Sequence, residues 1–247
     1  VTFTAAQDER LTVYIKNGGQ ADNEVARAGT VTLEGAVTLN TYNGDFTGSV
    51  SGADAVMSFT NNRDMTLSIV PDESGETIAY DMVLSTKDGA YQSDGTATVV
   101  SGTVQIANTF SIAKITVNDG AELIVPNGTT LTTTGNPDYR INTLNKELPL
   151  ITDSLMENIA GLVVDGTLTV ERSGIVTAGI ALIDGTLNVG ESAGNVTLIY
   201  AQVNGTLQIA DNVDVDYSLL IVKGTVTGAI EGAATSGLIA YPEASID

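Results

Sequence analysis

One phrase recurs along this chain: VDGTLTV at residues 164–170, IDGTLNV at 183–189, VNGTLQI at 203–209 and VKGTVTG at 222–228. Its glycines, Gly166, Gly185, Gly205 and Gly224, stand 19, 20 and 19 residues apart. A fixed period of this length marks stacked supersecondary units rather than a chain closing on one central core. Within each unit apolar residues keep alternate positions (Val164, Leu168 and Val170; Ile183, Leu187 and Val189; Val203, Leu207 and Ile209), which is strand periodicity. A second apolar run follows a turn-rich break in each unit: IVTAGIALI after ERSG, VTLIYAQV after ESAGN, VDYSLLIV after ADNVD. Each period thus holds at least two strands. At roughly 3.3 Å per extended residue, one period is long enough to circle a flattened coil and return one strand spacing higher. Coils stacked in this way cannot bury their apolar edges without neighbours. The expected fold is all-β, a parallel β-solenoid with 19–20 residues per coil.

The pattern reaches upstream. SGTVQIA at 101–107 repeats NGTLQIA at 204–210, and NDGAELIVPNGTTL at 118–131 keeps the same order of turn and alternation, so the solenoid is expected over residues 99–247. Residues 135–161 break the alternation and are expected as an excursion from one coil, since Gly128 and Gly166 stand 38 residues apart, twice the period. Within it, TDSLMENIA suits a short helix capped by Thr152 or Asp153. Residues 1–98 contain strand-like runs such as RLTVYIKNGG, GTVTLEGAVTLN and ETIAYDMVLS, with PDESGE and STKDGAY reading as hairpin turns. An antiparallel sheet or sandwich is expected there, ahead of the solenoid, with a continuous irregular solenoid as the alternative.

Composition narrows the chemistry. Thirty acidic and ten basic residues give a net charge of -20, and the basic residues are dispersed, so nucleic acid is not an expected partner. No apolar run approaches the roughly 20 residues that span a bilayer, so the chain is not expected to be membrane-embedded. The absence of Cys removes disulfides and thiol chemistry, and the absence of His removes Ser-His-Asp systems and His-ligated zinc. There is no phosphate-cradling Gly-Lys-Ser or Gly-Lys-Thr loop and no dinucleotide fingerprint. The chain is expected to be no enzyme and to need no cofactor.

Carboxylates remain, and oxygen-only ligands would suit calcium. The candidates are Asp211, Asp214 and Asp216, of which alternation places the last two on one exposed face; a solvated strand surface opposite Val213 and Val215 is the competing reading. Asp165 and Asp184 should stack at one corner, with Asn204 and Lys223 on the next rungs. Outward Thr167 and Thr169, Thr186, Thr206, Thr225 and Thr227 resemble the rows of β-solenoid ice-binding proteins, although Asn188 and Gln208 interrupt the second row. Asn127, Asn195 and Asn204 each begin an Asn-x-Thr sequon for glycosylation.

The stretches NDGAELIVPNGTTLTT and VDGTLTV, IDGTLNV, VNGTLQI resemble coils of secreted parallel β-helix surface proteins, including adhesins, passenger domains and prokaryotic surface-layer or sheath components, over residues 99–230. The resemblance implies a right-handed coil, an extracellular or cell-surface setting reached after signal-peptide removal, and a structural or adhesive role. The leading expectation is a non-enzymatic subunit of a filament, sheath or surface layer that polymerises with copies of itself by strand pairing at open ends. The residues expected at those ends are Val1 and Phe3, with Leu238, Ile239 and Tyr241 opposite. A glycan-binding adhesin module is the second reading and a polysaccharide-degrading β-helix enzyme the third.

Overall fold

The computed structural model describes residues 2–4, 11–16, 32–34, 37–51, 56–70, 82–86, 90–135 and 153–247. Their strands form a parallel β-solenoid of about 7 turns. The repeated phrases form short strands that stack directly on one another: β12 (Thr167–Val170), β14 (Thr186–Val189), β16 (Thr206–Ile209) and β18 (Thr225–Thr227), with earlier β1 to β11 taken up below. Leu168 pairs in register with Leu187, Leu187 with Leu207 and Leu207 with Val226, and all four are core residues. A one-residue slip would turn these columns to solvent, so burial itself fixes the register.

Between the short strands run long ones: β13 (Ile175–Ile183), β15 (Val196–Val203), β17 (Val215–Val222) and β19 (Ile230–Ala240), and β20 (Ser245–Ile246) follows as a last short strand on β18. The strands β13, β15 and β17 each have a bend that the repeat pattern does not announce. In β13 the core takes Val176 and Ala178, then Ala181 and Ile183, so the alternation slips by one across Gly179 and Ile180. The same slip separates Leu198 from Ala201 in β15 and Tyr217 from Leu220 in β17. Each coil therefore has three faces, one from the short strand and two from the bent long strand.

On the third face both sides are apolar. Ile183 points inward while Ile180 and Leu182 join an outer cluster with Val163, Tyr200, Leu219 and Ile221. Unbroken runs such as IALI and LLIV are what a strand buried on both faces requires. Part of this outer cluster is helix α1 (Asp153–Ile159), which contributes Met156 and Ile159.

The helix belongs to an excursion that begins and ends at the bend. Upstream, β8 (Thr109–Val117) runs unbroken, but the strand stacked on it is in two pieces, β10 (Thr130–Thr133) and β11 (Leu162–Val164), and β13 pairs with the same two pieces from the other side. The ladder continues through Gly135, whose N–H donates to the Ala113 carbonyl at 3.0 Å, and through Gly161, whose N–H donates to the Ile180 carbonyl at 2.9 Å. A Cβ on Gly161 would overlap the Gly135 backbone, so the stem requires glycine for close approach. The 38-residue spacing from Gly128 is fortuitous: register places Ala121, from β9 (Ala121–Val125), beneath Gly166.

The expected antiparallel region needs correcting. Within residues 1–98 the described strands are β1 (Thr2–Thr4), β2 (Leu11–Lys16), β3 (Thr32–Glu34), β4 (Val37–Ser51), β5 (Val56–Val70), β6 (Met82–Thr86) and the start of β7 (Ala90–Ile106). All their pairings are parallel: β1 with β3, β2 with β4, β4 with β5, and β5 with β6 and β7. Gly, Asp and Ser serve the corner of a coil as readily as a hairpin, so turn composition did not distinguish the two. PDESGE itself lies outside the described residues.

Candidate functional site

The corner that opens each short strand is built by two adjacent N–H groups converging on one carbonyl of the preceding coil. Asp184 and Gly185 both donate to the Val164 oxygen at 2.9 and 2.7 Å, Asn204 and Gly205 to that of Ile183 at 2.8 and 2.9 Å, and Lys223 and Gly224 to that of Val203 at 2.8 and 3.0 Å. This convergence brings the glycines so close to the coil beneath that a Cβ on Gly185 would overlap the Gly166 carbonyl, with the same clash for Gly205 over Gly185 and Gly224 over Gly205. Close approach is why the phrase keeps its glycine.

The residue before each glycine forms an outward column: Asp165, Asp184, Asn204, Lys223. The Asn204 amide nitrogen donates to the Asp184 carboxylate at 2.6 Å, and the Asn204 amide oxygen accepts from the Gln202 side chain at 2.9 Å. Lys223 places its ammonium 5.6 Å from the centroid of the Tyr241 ring. Burial holds the Asp165 carboxyl above the usual range, and Asp184, Glu157 and Asp119 push it further the same way against the opposing charge of Lys114. The Lys114 ammonium also donates to the Glu157 carbonyl of α1 at 2.6 Å. The sequence places this column correctly; the amide bonds between its rungs are the new detail.

Asp211, Asp214 and Asp216 are all exposed, and among the described residues no group of three or more acidic side chains is placed to hold a metal ion. Asn127 and Asn195 are exposed on turns that lead into long strands, whereas the Asn204 amide is engaged by Asp184. The Asn195 turn and its equivalents before β13 and β17 hold Ser192, Ser173 and Asn212 at φ of 56°, 56° and 61°. This row of left-handed residues went unread because only one of the three is the Asn that such positions favour.

Of the residues expected at open ends, Val1 lies outside the described residues, and Phe3 stands in β1, paired with Leu33 of β3. Ile239 and Tyr241 are half-buried against the outer cluster. Leu238 is 45% exposed and Ile246 is 40% exposed, although neither occupies a surface position in the repeat. Leu238 stands in register with Leu220, and Ile246 with Val226, both core residues. Among the described strands β19 pairs only with β17 and β20 only with β18. Among the described residues no strand is laid over these two core-column positions.

Comparison of the chain with known protein families, with curated proteins and with solved structures finds no match. Among the described residues no helix is long and apolar enough to cross a membrane.

Proposed function

We propose that this chain is a non-enzymatic structural subunit of an extracellular assembly, a filament, sheath or surface layer, in which the coils of one copy continue into the next. The exposure of Leu238 and Ile246, which stand in register with core residues, supports this reading among the described residues. A coil shares its apolar edges with the coils stacked on it, and apolar area left in water costs roughly 25 cal/mol per Å². A strand edge that finds no partner within its own chain templates a further strand. The surface setting rests on the resemblance of the coils to secreted β-helix proteins. Sedimentation velocity and negative-stain imaging of the purified chain test the reading: the expected result is elongated particles that grow with concentration. A chain that stays monomeric at high concentration, with salt and calcium present, would replace assembly with the adhesin reading.

A further inference from the structure

We propose that Asn127 is a self-modifying site: in the folded chain it converts to an aspartyl or isoaspartyl residue, while Asn204, in the same tripeptide, is held unreactive. The inference goes beyond the assembly reading and does not depend on it. The reaction needs no catalyst. The main-chain nitrogen of the residue after an asparagine loses its proton and attacks the side-chain amide carbon. Ammonia leaves as the new N–C bond closes a succinimide ring, and water then opens the ring at either carbonyl. The net exchange takes up water and releases ammonia. A following glycine favours the attack, because it has no side chain to obstruct the ring and the widest choice of main-chain angles.

The tripeptide Asn-Gly-Thr occurs at 127–129 and again at 204–206. Local sequence therefore assigns both asparagines a similar reactivity, and their surroundings decide between them. Asn127 and Gly128 are exposed at the tip of the turn from β9 into β10, between the buried Pro126 and Thr129. The Thr129 N–H and hydroxyl both donate to the Pro126 carbonyl, at 3.2 and 2.8 Å. Gly128 has φ of 75°, as the third residue of a type II turn requires, and at that position the N–H takes no part in the turn's own bond. Among the described residues the Gly128 N–H donates to no acceptor, and nothing lies within 4 Å of where its Cβ would stand. The attacking nitrogen can give up its proton, and the peptide has room to swing onto the Asn127 side chain.

At Asn204 each of these steps is blocked. The Gly205 N–H is bound to the Ile183 carbonyl at 2.9 Å, so the nitrogen keeps its proton. The side chain is pinned at both atoms, its nitrogen donating to Asp184 at 2.6 Å and its oxygen accepting from Gln202 at 2.9 Å. The Gly185 and Asp184 carbonyls crowd Gly205 where a Cβ would be, which leaves the peptide no room to turn. Of the other Asn-Gly pairs, Asn43 and Gly44 lie inside β4, and Asn17 and Gly18 lie outside the described residues. Conversion at Asn127 adds a negative charge, and the isoaspartyl form lengthens the main chain by a carbon at the corner that feeds β10.

The test uses the intact chain made in a host without N-glycosylation, so that both sequons stay bare. Folded protein is held at mildly alkaline pH, where the main-chain nitrogen loses its proton more readily, beside a matched sample in denaturant. Peptide mass spectrometry over time, with fragmentation that distinguishes aspartyl from isoaspartyl linkages, follows both sites. In the folded chain Asn127 should convert faster than Asn204 by about tenfold or more, because three hydrogen bonds must open before Asn204 can react. In denaturant the two rates should come together. Equal rates in the folded chain would overturn the proposal. So would an Asn127 that folding slows as much as it slows Asn204, since the turn would then protect it as well as the corner protects Asn204.

Discussion

Leu187 and Thr186 are neighbours in sequence with opposite surroundings, and the pair tests which way the short strands face. Leu187 is fully buried between Leu168 and Leu207, whereas Thr186 sits in the half-exposed outer column with Thr167 and Thr206. An aspartate at Leu187 would be an unpaired charge in the core, so Leu187→Asp should cost several kcal/mol, on the order of 3–5, and unfold the adjoining coils. Thr186→Asp should stay within about 0.5 kcal/mol in a thermal melt. Equal losses would mean that the two faces are exchanged. Asp165 poses a different question, because its carboxyl is raised by burial and by neighbouring carboxylates. A folded-state value above the unfolded one means that the folded chain binds the proton more tightly, so this group favours folding at acid pH and that contribution is lost as pH rises through its folded value. Asp165→Asn should therefore raise the melting temperature at neutral pH and leave it unchanged well below the carboxylate range. A variant that destabilises equally at both pH values would show that the carboxylate is needed for the corner rather than tolerated there.

The short strands could be read from sequence because each coil repeats them with one glycine and two apolar columns, and the constraint at Gly185 or Gly205 acts through the residue directly beneath. The bend in the long strands was not legible. Gly179 and Ile180 shift the alternation by one, yet no residue type is common to them, Ile199 and Tyr200, and Ser218 and Leu219. The three-faced coil, the outer cluster and the reason the excursion begins at Gly135 all depend on that bend. The acidic corner was legible because its residues follow the repeat; Leu238 was expected at a strand edge, but that it and Ile246 belong to core columns was not legible, since they look like any strand residue until register places them there. The helix in the excursion offers an element-scale test. Met156 is fully buried in the outer cluster, away from the inner core, so Met156→Ala should cost about 2–5 kcal/mol locally. Hydrogen exchange should quicken over Asp153–Ile159 while β14 to β18 keep their protection. Loss of protection along the whole ladder would show that the helix and the coils open as one unit.

For the whole molecule, long-range charge repulsion and short-range apolar contact act in opposite directions, and ionic strength separates them. Each copy carries -20, so two copies approaching one another repel at long range. The Debye length is about 30 Å at 0.01 M salt and about 10 Å at 0.1 M, so moderate salt removes most of the repulsion between whole charge distributions while leaving contacts a few ångströms apart less affected. Association should therefore strengthen between these two conditions, by about tenfold in the apparent dissociation constant, equivalent to roughly 1.4 kcal/mol. The melting of the individual chain should move little, because its stability lies in stacked apolar columns that salt does not screen. Divalent cations should promote association at lower concentration than monovalent salt, and chelator should loosen preformed particles. Sedimentation velocity at fixed protein concentration, run across both salts with and without chelator, measures all of this. Particle size that stays constant from low to moderate ionic strength would mean that net charge does not govern assembly. If calcium restored association where matched monovalent salt did not, a bound ion rather than screening would be responsible, and the carboxylates of Asp165 and Asp184 at the corner, then Asp211, Asp214 and Asp216, would be the ones to substitute first.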